Sequence, residues 1–183
     1  MQTATIATER RVPGPIALQF EYSLVARDVE GEHFPAAREA GMGVMPWSPL
    51  AGGFLTGKYS RGDTEGKGRL SGANPFGNSK FTDRNWDILD ALRAVAQEVD
   101  RPAAQVALAW TMARPGVTST LIGASSLAQL HGSIAACEIT LTPAQMTRLD
   151  AVSAPAMGFS AALTQPTIRR MVFGGNDVRG WQD

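Results

Sequence analysis

Gly52, Gly57 and Lys58, in the stretch GGFLTGKY, stand at the G-x-x-x-x-G-K spacing with which a glycine-rich loop cradles phosphate while a lysine reaches the terminal phosphates. The chemistry does not follow the spacing. Tyr59 occupies the place of the Ser or Thr hydroxyl that should hold magnesium, and Phe54 and Leu55 set apolar bulk where phosphate would lie. No G-x-G-x-x-G follows an expected strand; Gly41 and Gly43 precede one instead, so the Rossmann route to a dinucleotide is excluded. There is no G-x-S-x-G elbow for a serine hydrolase. His33 and His131 have no partner at metal-ligand spacing and read as surface or helix-end residues. Two loops retain chemical interest: Trp47-Ser48-Pro49-Leu50-Ala51-Gly52-Gly53 and Gly123-Ala124-Ser125-Ser126. Each follows an expected strand, and the second opens a helix whose free N–H groups would favour an anion.

The elements that must position these loops are read from hydrophobic periodicity. Three short apolar stretches bounded by glycine, proline or polar residues read as buried strands: Ile16 to Tyr22, Gly43 to Trp47, and Ser119 to Ile122. A short amphipathic helix, Phe34 to Ala40, separates the first two. Trp86, Leu89, Leu92, Val95, Ala96 and Val99 recur every three or four residues opposite Asp87, Asp90 and Glu98, the pattern of a helix with one core stripe. A second helix begins near Pro102 and is stopped by Pro115 and Gly116. Ser126 with Gln129, and Thr142 with Gln145, have capping-box spacing, and Pro143 suits the first position of the helix that follows. Strands alternating with helices predict an α/β fold with a parallel sheet. If the sheet curves into a barrel, both loops gather at its C-terminal face.

Composition bounds the class. The chain has 183 residues, 44% hydrophobic, with 17 basic and 17 acidic side chains, which is ordinary for one globular domain and gives no basic field for nucleic acid. The single cysteine, Cys137, excludes an internal disulfide and any cysteine-based metal cluster and fits a reducing compartment. No apolar run reaches the about 18 residues of a membrane span, and the opening MQTATIATERRVPGP lacks the apolar stretch of a secretory signal. A cytoplasmic protein without membrane or nucleic-acid partners is expected. Residues 60–82 form a polar loop rich in Gly, Ser and Asn, and residues 154–183 a tail without a strong period.

In order and spacing, LQFEYSLVARDVE, GVMPWSPLAGGFLTGKY, PAAQVALAW and LIGASSLAQL resemble the second half of an aldo-keto reductase. The resemblance runs from about Val12 to Gly175. It implies a single partial domain over 1–183, the C-terminal part of a (β/α)8 barrel, with about three parallel strands in this chain. It also implies extended binding of NADP(H) and, for the whole family barrel, reduction of small aldehydes or ketones to alcohols. Gln19 then resembles the glutamine that hydrogen-bonds the nicotinamide carboxamide, and Trp47 the aromatic that stacks on the nicotinamide ring. Ser48, Pro49, Leu50, Ala51 and Gly52 resemble the stretch around the pyrophosphate, with Lys58 as its basic partner and Arg69 as the family arginine. Gly123, Ser125 and Gln129 match the positions around the adenosine and its 2′-phosphate.

The departures from the family pattern are specific. Gly132 and Ser133 stand where relatives often carry a Glu-Asn pair for adenine, and Ser125 stands where some carry arginine. The family's catalytic Asp, Tyr, Lys and His belong to the first half of the barrel, and neither Tyr22, Tyr59 nor Lys58 is in those contexts, so no catalytic residue is assigned. Hydride delivery needs an acid for the developing alkoxide, and a tyrosine serves only with a cation lowering its pKa. The first reading is therefore the NADP(H)-binding half of a reductase, truncated and inactive as this chain alone. The alternative is a noncatalytic nucleotide-binding module, or a subunit that completes a barrel by self-association through exposed sheet edges.

Overall fold

The computed structural model describes residues 2–62, 68–71, 79–156 and 166–176. Helix α1 (Gln2–Arg10) is followed by strand β1 (Ala17–Glu21), a 3-10 turn at Asp28–Glu30, helix α2 (His33–Glu39) and strand β2 (Gly43–Trp47). A kinked 3-10 segment, Ala51–Thr56, leads towards the polar loop. Then come α3 (Asp83–Glu98), α4 (Ala103–Met112), α5 (Leu127–Ile134), a 3-10 turn at Ala135–Glu138, α6 (Pro143–Ser153) and α7 (Pro166–Val172). Residues 63–67 and 72–78 of the expected polar loop, and much of the tail, lie outside the described residues.

β1 and β2 pair in parallel, in register from Ala17 opposite Gly43 to Glu21 opposite Trp47. Pairing extends over the whole expected first strand, because Gly43 N–H donates to Ile16 O at 2.9 Å and Tyr22 N–H to Trp47 O at 3.2 Å. Leu18 and Phe20 pack with Ala37, Met42 and Val44 under α2. Since side chains alternate along a strand, Gln19, Glu21, Met45 and Trp47 take the opposite face. That face is the more open one, with Gln19 exposed and Trp47 44% exposed.

The third expected strand is corrected. Thr118 N–H donates to Val44 O at 2.9 Å and Leu121 N–H to Pro46 O at 2.8 Å, so the chain runs beside β2 in the parallel sense. It forms only an isolated bridge, Val44 with Val117, and the described sheet has two strands. Three residues separate the two donors where two separate the acceptors on β2, which breaks the two-residue repeat of a ladder. The expected burial also fails: Ser119 and Ile122 are exposed, and β1 is half-buried rather than buried. An apolar segment is covered only if a neighbour lies on it, and among the described residues β2 is the strand beside this one.

The helices follow their signals more closely. Thr82 caps α3 by accepting from Asn85 N–H at 3.2 Å, and the stripe Trp86, Ile88, Leu89, Leu92, Val95 and Ala96 is buried. Thr142 and Gln145 form a reciprocal capping box with Pro143 in the first turn of α6. At α5 only half of the expected box forms, because Gln129 Oε1 accepts from Ser125 and not from Ser126. Pro102 sits at the N-cap of α4 rather than inside it. Helix α1 was not expected from the sequence, since its three threonines favour helix weakly and its apolar residues form no stripe.

One polar network holds the ends of four segments together. Arg27 makes a bidentate pair with Glu30, at 2.9 Å on each side, and its other nitrogen donates to Ser153 Oγ at 2.6 Å and Asp150 O at 3.0 Å in α6. Arg114, just past α4, pairs with both oxygens of Asp150 at 2.9 and 2.8 Å, and Trp110 Nε1 donates to Asp150 at 2.9 Å. Both guanidinium groups stand 5.2 Å from the Trp110 ring, and Tyr22 stacks on it at 5.6 Å while its hydroxyl donates to Glu30. Burial alone would raise the Glu30 carboxyl, but hydrogen bonds from Arg27 and Tyr22 and the charges of Arg27 and Arg114 outweigh it and hold the carboxyl below its usual range. Its contribution is therefore complete above the unfolded carboxylate value of about 4.3 and lost as pH falls through the lower folded value. Glu30→Gln is expected to remove about 3 kcal/mol of stability at pH 7, and to flatten the acid limb of the stability profile in denaturant melts taken between neutral pH and the acid transition.

Candidate functional site

The site is built where β1, β2 and the segment beside β2 all end. Because these three runs are parallel, the turns after Trp47 and Ile122 leave at the same end of the sheet. Trp47 closes β2, and Gln19 lies one diagonal step away on the same face, opposite Met45. An exposed indole and an exposed amide thus share one face at the strand ends, an apolar ring and a donor–acceptor group in diagonal register.

The turn after Trp47 is tightly coiled. Ser48, Ala51, Gly52, Gly53 and Gly57 have φ of 54°, 50°, 66°, 95° and 79°. Two of these are not glycines, and left-handed backbone at such residues costs about 1–2 kcal/mol each, which persists where the surroundings over-determine it. Ser48 O accepts from Ala51 N–H at 2.8 Å, Ser48 Oγ from Gly52 N–H at 3.2 Å, and Leu50 O from Gly53 N–H at 2.9 Å. Pro49 is buried and Ala51 fully so; their side chains face the core, so they shape the turn through backbone alone. At Gly52 the reason for glycine is double, since a Cβ would come within 2.8 Å of Leu70 as well as strain the backbone.

Lys58 and Arg69 are brought to this turn by anchors that the sequence did not reveal. Lys58 is exposed, with its ammonium 5.2 Å from the Tyr59 ring centre. Its tip also lies near Gly53, where a Cβ would meet Nζ at 3.0 Å. Tyr59 is buried, and its hydroxyl accepts from Leu70 N–H at 3.1 Å. Leu70 is buried against Gly52, and its neighbour Arg69 is exposed. Arg93 of α3 donates to the carbonyls of Gly57 and Tyr59 at 2.9 and 3.0 Å and fixes the far side.

The third group, Gly123, Ser125 and Gln129, is exposed at the start of α5. Open space surrounds the position of a Gly123 Cβ. Ser126 caps the helix, and Ser125 donates through both N–H and Oγ to Gln129 Oε1, at 2.9 and 3.0 Å. Ser133 Oγ is turned back onto Gln129 O at 2.9 Å. These three residues offer a helix N-terminus and hydrogen-bonding groups but no cation.

Proton-transfer chemistry is another matter. Burial, and the hydrogen bond to the Glu30 carboxylate, push the Tyr22 phenol well above its usual value, so it stays a neutral donor locked onto Glu30. Among the described residues no group of His, Cys, Asp and Glu could hold a metal ion. A cleft of about 690 Å³ lined by Phe34, Met42, Val44, Pro115 and Thr118 lies by the opposite, N-terminal ends of the strands. In chemistry the groups at the C-terminal ends of these runs fit the parts of a nicotinamide dinucleotide: an aromatic platform and an amide at Trp47 and Gln19, an ammonium at Lys58 by the coiled turn, and the helix N-terminus of α5.

The family model of the aldo/keto reductase family matches residues 1–154. The chain belongs to the aldo/keto reductase family. It is 36% identical over 135 residues to an uncharacterized oxidoreductase of Bacillus subtilis, covering 74% of this chain and 39% of that protein. It is 33% identical over 153 residues to a probable voltage-gated potassium channel subunit beta of Oryza sativa, covering 81% of this chain and 47% of that protein. An uncharacterized oxidoreductase of Mycobacterium tuberculosis is 38% identical over 127 residues, covering 69% and 38%. The chain thus spans less than half the length of these relatives. The family is one of oxidoreductases that generally bind NAD(P)H and act on small carbonyl compounds. It implies a (β/α)8 barrel, and this aldo-keto reductase chain, α/β with a small parallel sheet, is consistent with part of one. Among the described residues no helix is long and apolar enough to cross a membrane.

Gly52→Ala is expected to destabilise the chain by at least about 1–2 kcal/mol through its left-handed backbone. It should also free the Leu70 anchor, read as faster proteolytic cleavage next to Leu70 than in Gly62→Ala, which carries left-handed strain (φ 84°) but has open space in place of the clash.

Proposed function

We propose that this chain is the NADP(H)-binding portion of an aldo-keto reductase, with a cytoplasmic location and a small aldehyde or ketone as the substrate of the complete barrel. The observation that carries the reading is the common end of the parallel runs, which gives Gln19, Trp47, the Ser48–Gly52 turn and the Gly123–Ser126 turn one shared border. Bound NADPH would supply hydride to the carbonyl carbon. Gln19 would hold the nicotinamide carboxamide, and Trp47 would lie flat against the ring and keep water from that face. The Ser48–Gly52 turn would border the pyrophosphate, with Pro49, Leu50 and Ala51 setting the coil and Lys58 and Arg69 supplying positive charge. Gly123, Ser125 and Gln129 would border the adenosine, where the helix N-terminus of α5 favours the 2′-phosphate.

Titration of the folded chain with NADPH is expected to quench tryptophan emission, and Trp47→Phe to remove most of that quenching while Trp110 remains as a control. A folded circular dichroism spectrum with no cofactor-dependent change would overturn the assignment.

No residue of this chain is assigned as the proton donor, a reading supported by the raised Tyr22 phenol, which is the wrong direction for an acid at neutral pH. The purified 183-residue chain is therefore expected not to oxidise NADPH in the presence of aldehydes. Turnover abolished by Tyr22→Phe or Tyr59→Phe would contradict this. A second reading, a noncatalytic nucleotide-binding module or a subunit that completes a barrel by self-association, is favoured by Ile16, 86% exposed immediately before β1. Sedimentation separates the two: a monodisperse dimer supports the second, and aggregation supports a truncated reductase.

A further inference from the structure

We infer that Glu21 and Lys80 are a positioning pair for the nicotinamide end of the site, an inference that rests on the cofactor reading above. Glu21 is the last residue of β1 and lies opposite Trp47 in the parallel register. By alternation its side chain shares the face of Gln19, Met45 and Trp47. Its carboxylate accepts from Lys80 Nζ at 2.7 Å, with the two side chains 32% and 16% exposed. A pair so sheltered is screened by salt much less than a surface pair.

The lysine is held by rigid surroundings. Lys80 O accepts from Asn85 Nδ2 at 3.0 Å, and Asn85 is buried in the first turn of α3. The next residue, Phe81, stacks on Trp86 at 5.8 Å and meets Tyr59 edge-on at 5.3 Å. Thr82 then caps the helix. The ammonium is thus fixed to the start of α3, and Glu21 ties the end of β1 to it. Gln19 and Trp47, two residues back along β1 and directly across on β2, stand on the strand ends so tied. The pair acts through the strand rather than through contact with the cofactor, and it also neutralises a carboxylate that would otherwise face an anionic ligand.

This predicts an effect opposite to simple charge. Glu21→Gln makes the site more positive, which by attraction alone would tighten a dinucleotide, yet the loss of the tie should loosen its nicotinamide end. The test compares NADPH with 2′-phospho-ADP-ribose, which lacks the nicotinamide, on the full 183-residue chain. Glu21→Gln is expected to raise the Kd for NADPH about tenfold, with the Kd for 2′-phospho-ADP-ribose changed by less than about twofold. The exchanged pair, Glu21→Lys with Lys80→Glu, is expected to recover most of the NADPH affinity. Where Glu21→Gln does not fold, Lys80→Met against Lys80→Arg gives the same comparison, only the Arg variant keeping NADPH affinity. Equal weakening of both ligands, unchanged NADPH affinity, or failure of both the exchanged pair and Lys80→Arg to retain it overturns the positioning role alone. Absence of NADPH binding to the unaltered chain overturns the cofactor reading and this one together.

Discussion

The register between β1 and β2 is the constraint on which the site depends. With Gln19 opposite Met45 and Glu21 opposite Trp47, the polar and aromatic residues share one face, and Leu18, Phe20 and Val44 share the other under α2. A slip of one residue would carry every side chain of one strand to the wrong face, burying Gln19 and exposing Phe20. Two strands alone specify register weakly, and here the C-terminal end of β1 is held from outside the sheet. Tyr22 follows directly on the strand and is stacked on Trp110, with its hydroxyl on Glu30.

That hold is ionic as much as apolar. Arg27, Glu30, Arg114 and Asp150 are partly or wholly desolvated, and such an arrangement is tolerable only where each charge is paired and each remaining donor is used. Arg27 meets this condition with Glu30, Ser153 and the Asp150 carbonyl, and Arg114 meets it with both oxygens of Asp150. Trp110 lies beside both guanidinium groups, its indole N–H taken by Asp150. The network joins residues distant in sequence, from Tyr22 to Ser153, and so fixes α4 and α6 against the strand end.

The coiled turn after β2 shows the same economy on a smaller scale. Leu70 packs at Gly52 and is held by the Tyr59 hydroxyl, and Arg93 holds the carbonyl of Gly57 at the turn's end. The loop joins buried Pro49 and Ala51 to exposed Lys58 and Arg69, so packing fixes its backbone while its cationic side chains lie at the surface. The start of α5 differs: its polar groups are mutually satisfied and exposed, and it lacks a cation among Gly123, Ser125 and Gln129.

Much was legible in the chain itself. Gly43–Trp47 is the second strand as expected, the stripe from Trp86 to Ala96 is buried, and Thr142 with Gln145 caps α6. Those features are local: alternation, helical repeat and capping spacing are set by neighbours a few residues apart. The motifs around Gln19, Trp47 and Gly123 likewise identified the family, since side-chain identity survives in the linear order. What the sequence left undecided depends on distant residues meeting. Ser119–Ile122 reads as a buried strand, yet its burial needs a neighbour that no local pattern supplies. Glu21 with Lys80, Tyr59 with Leu70, and Arg27 with Asp150 are separated by loops and helices, and their pairing is a property of the packed chain. Only the tertiary structure, through the parallel register and the packing that locks it, brought the two turns to one end and put Gln19 beside Trp47.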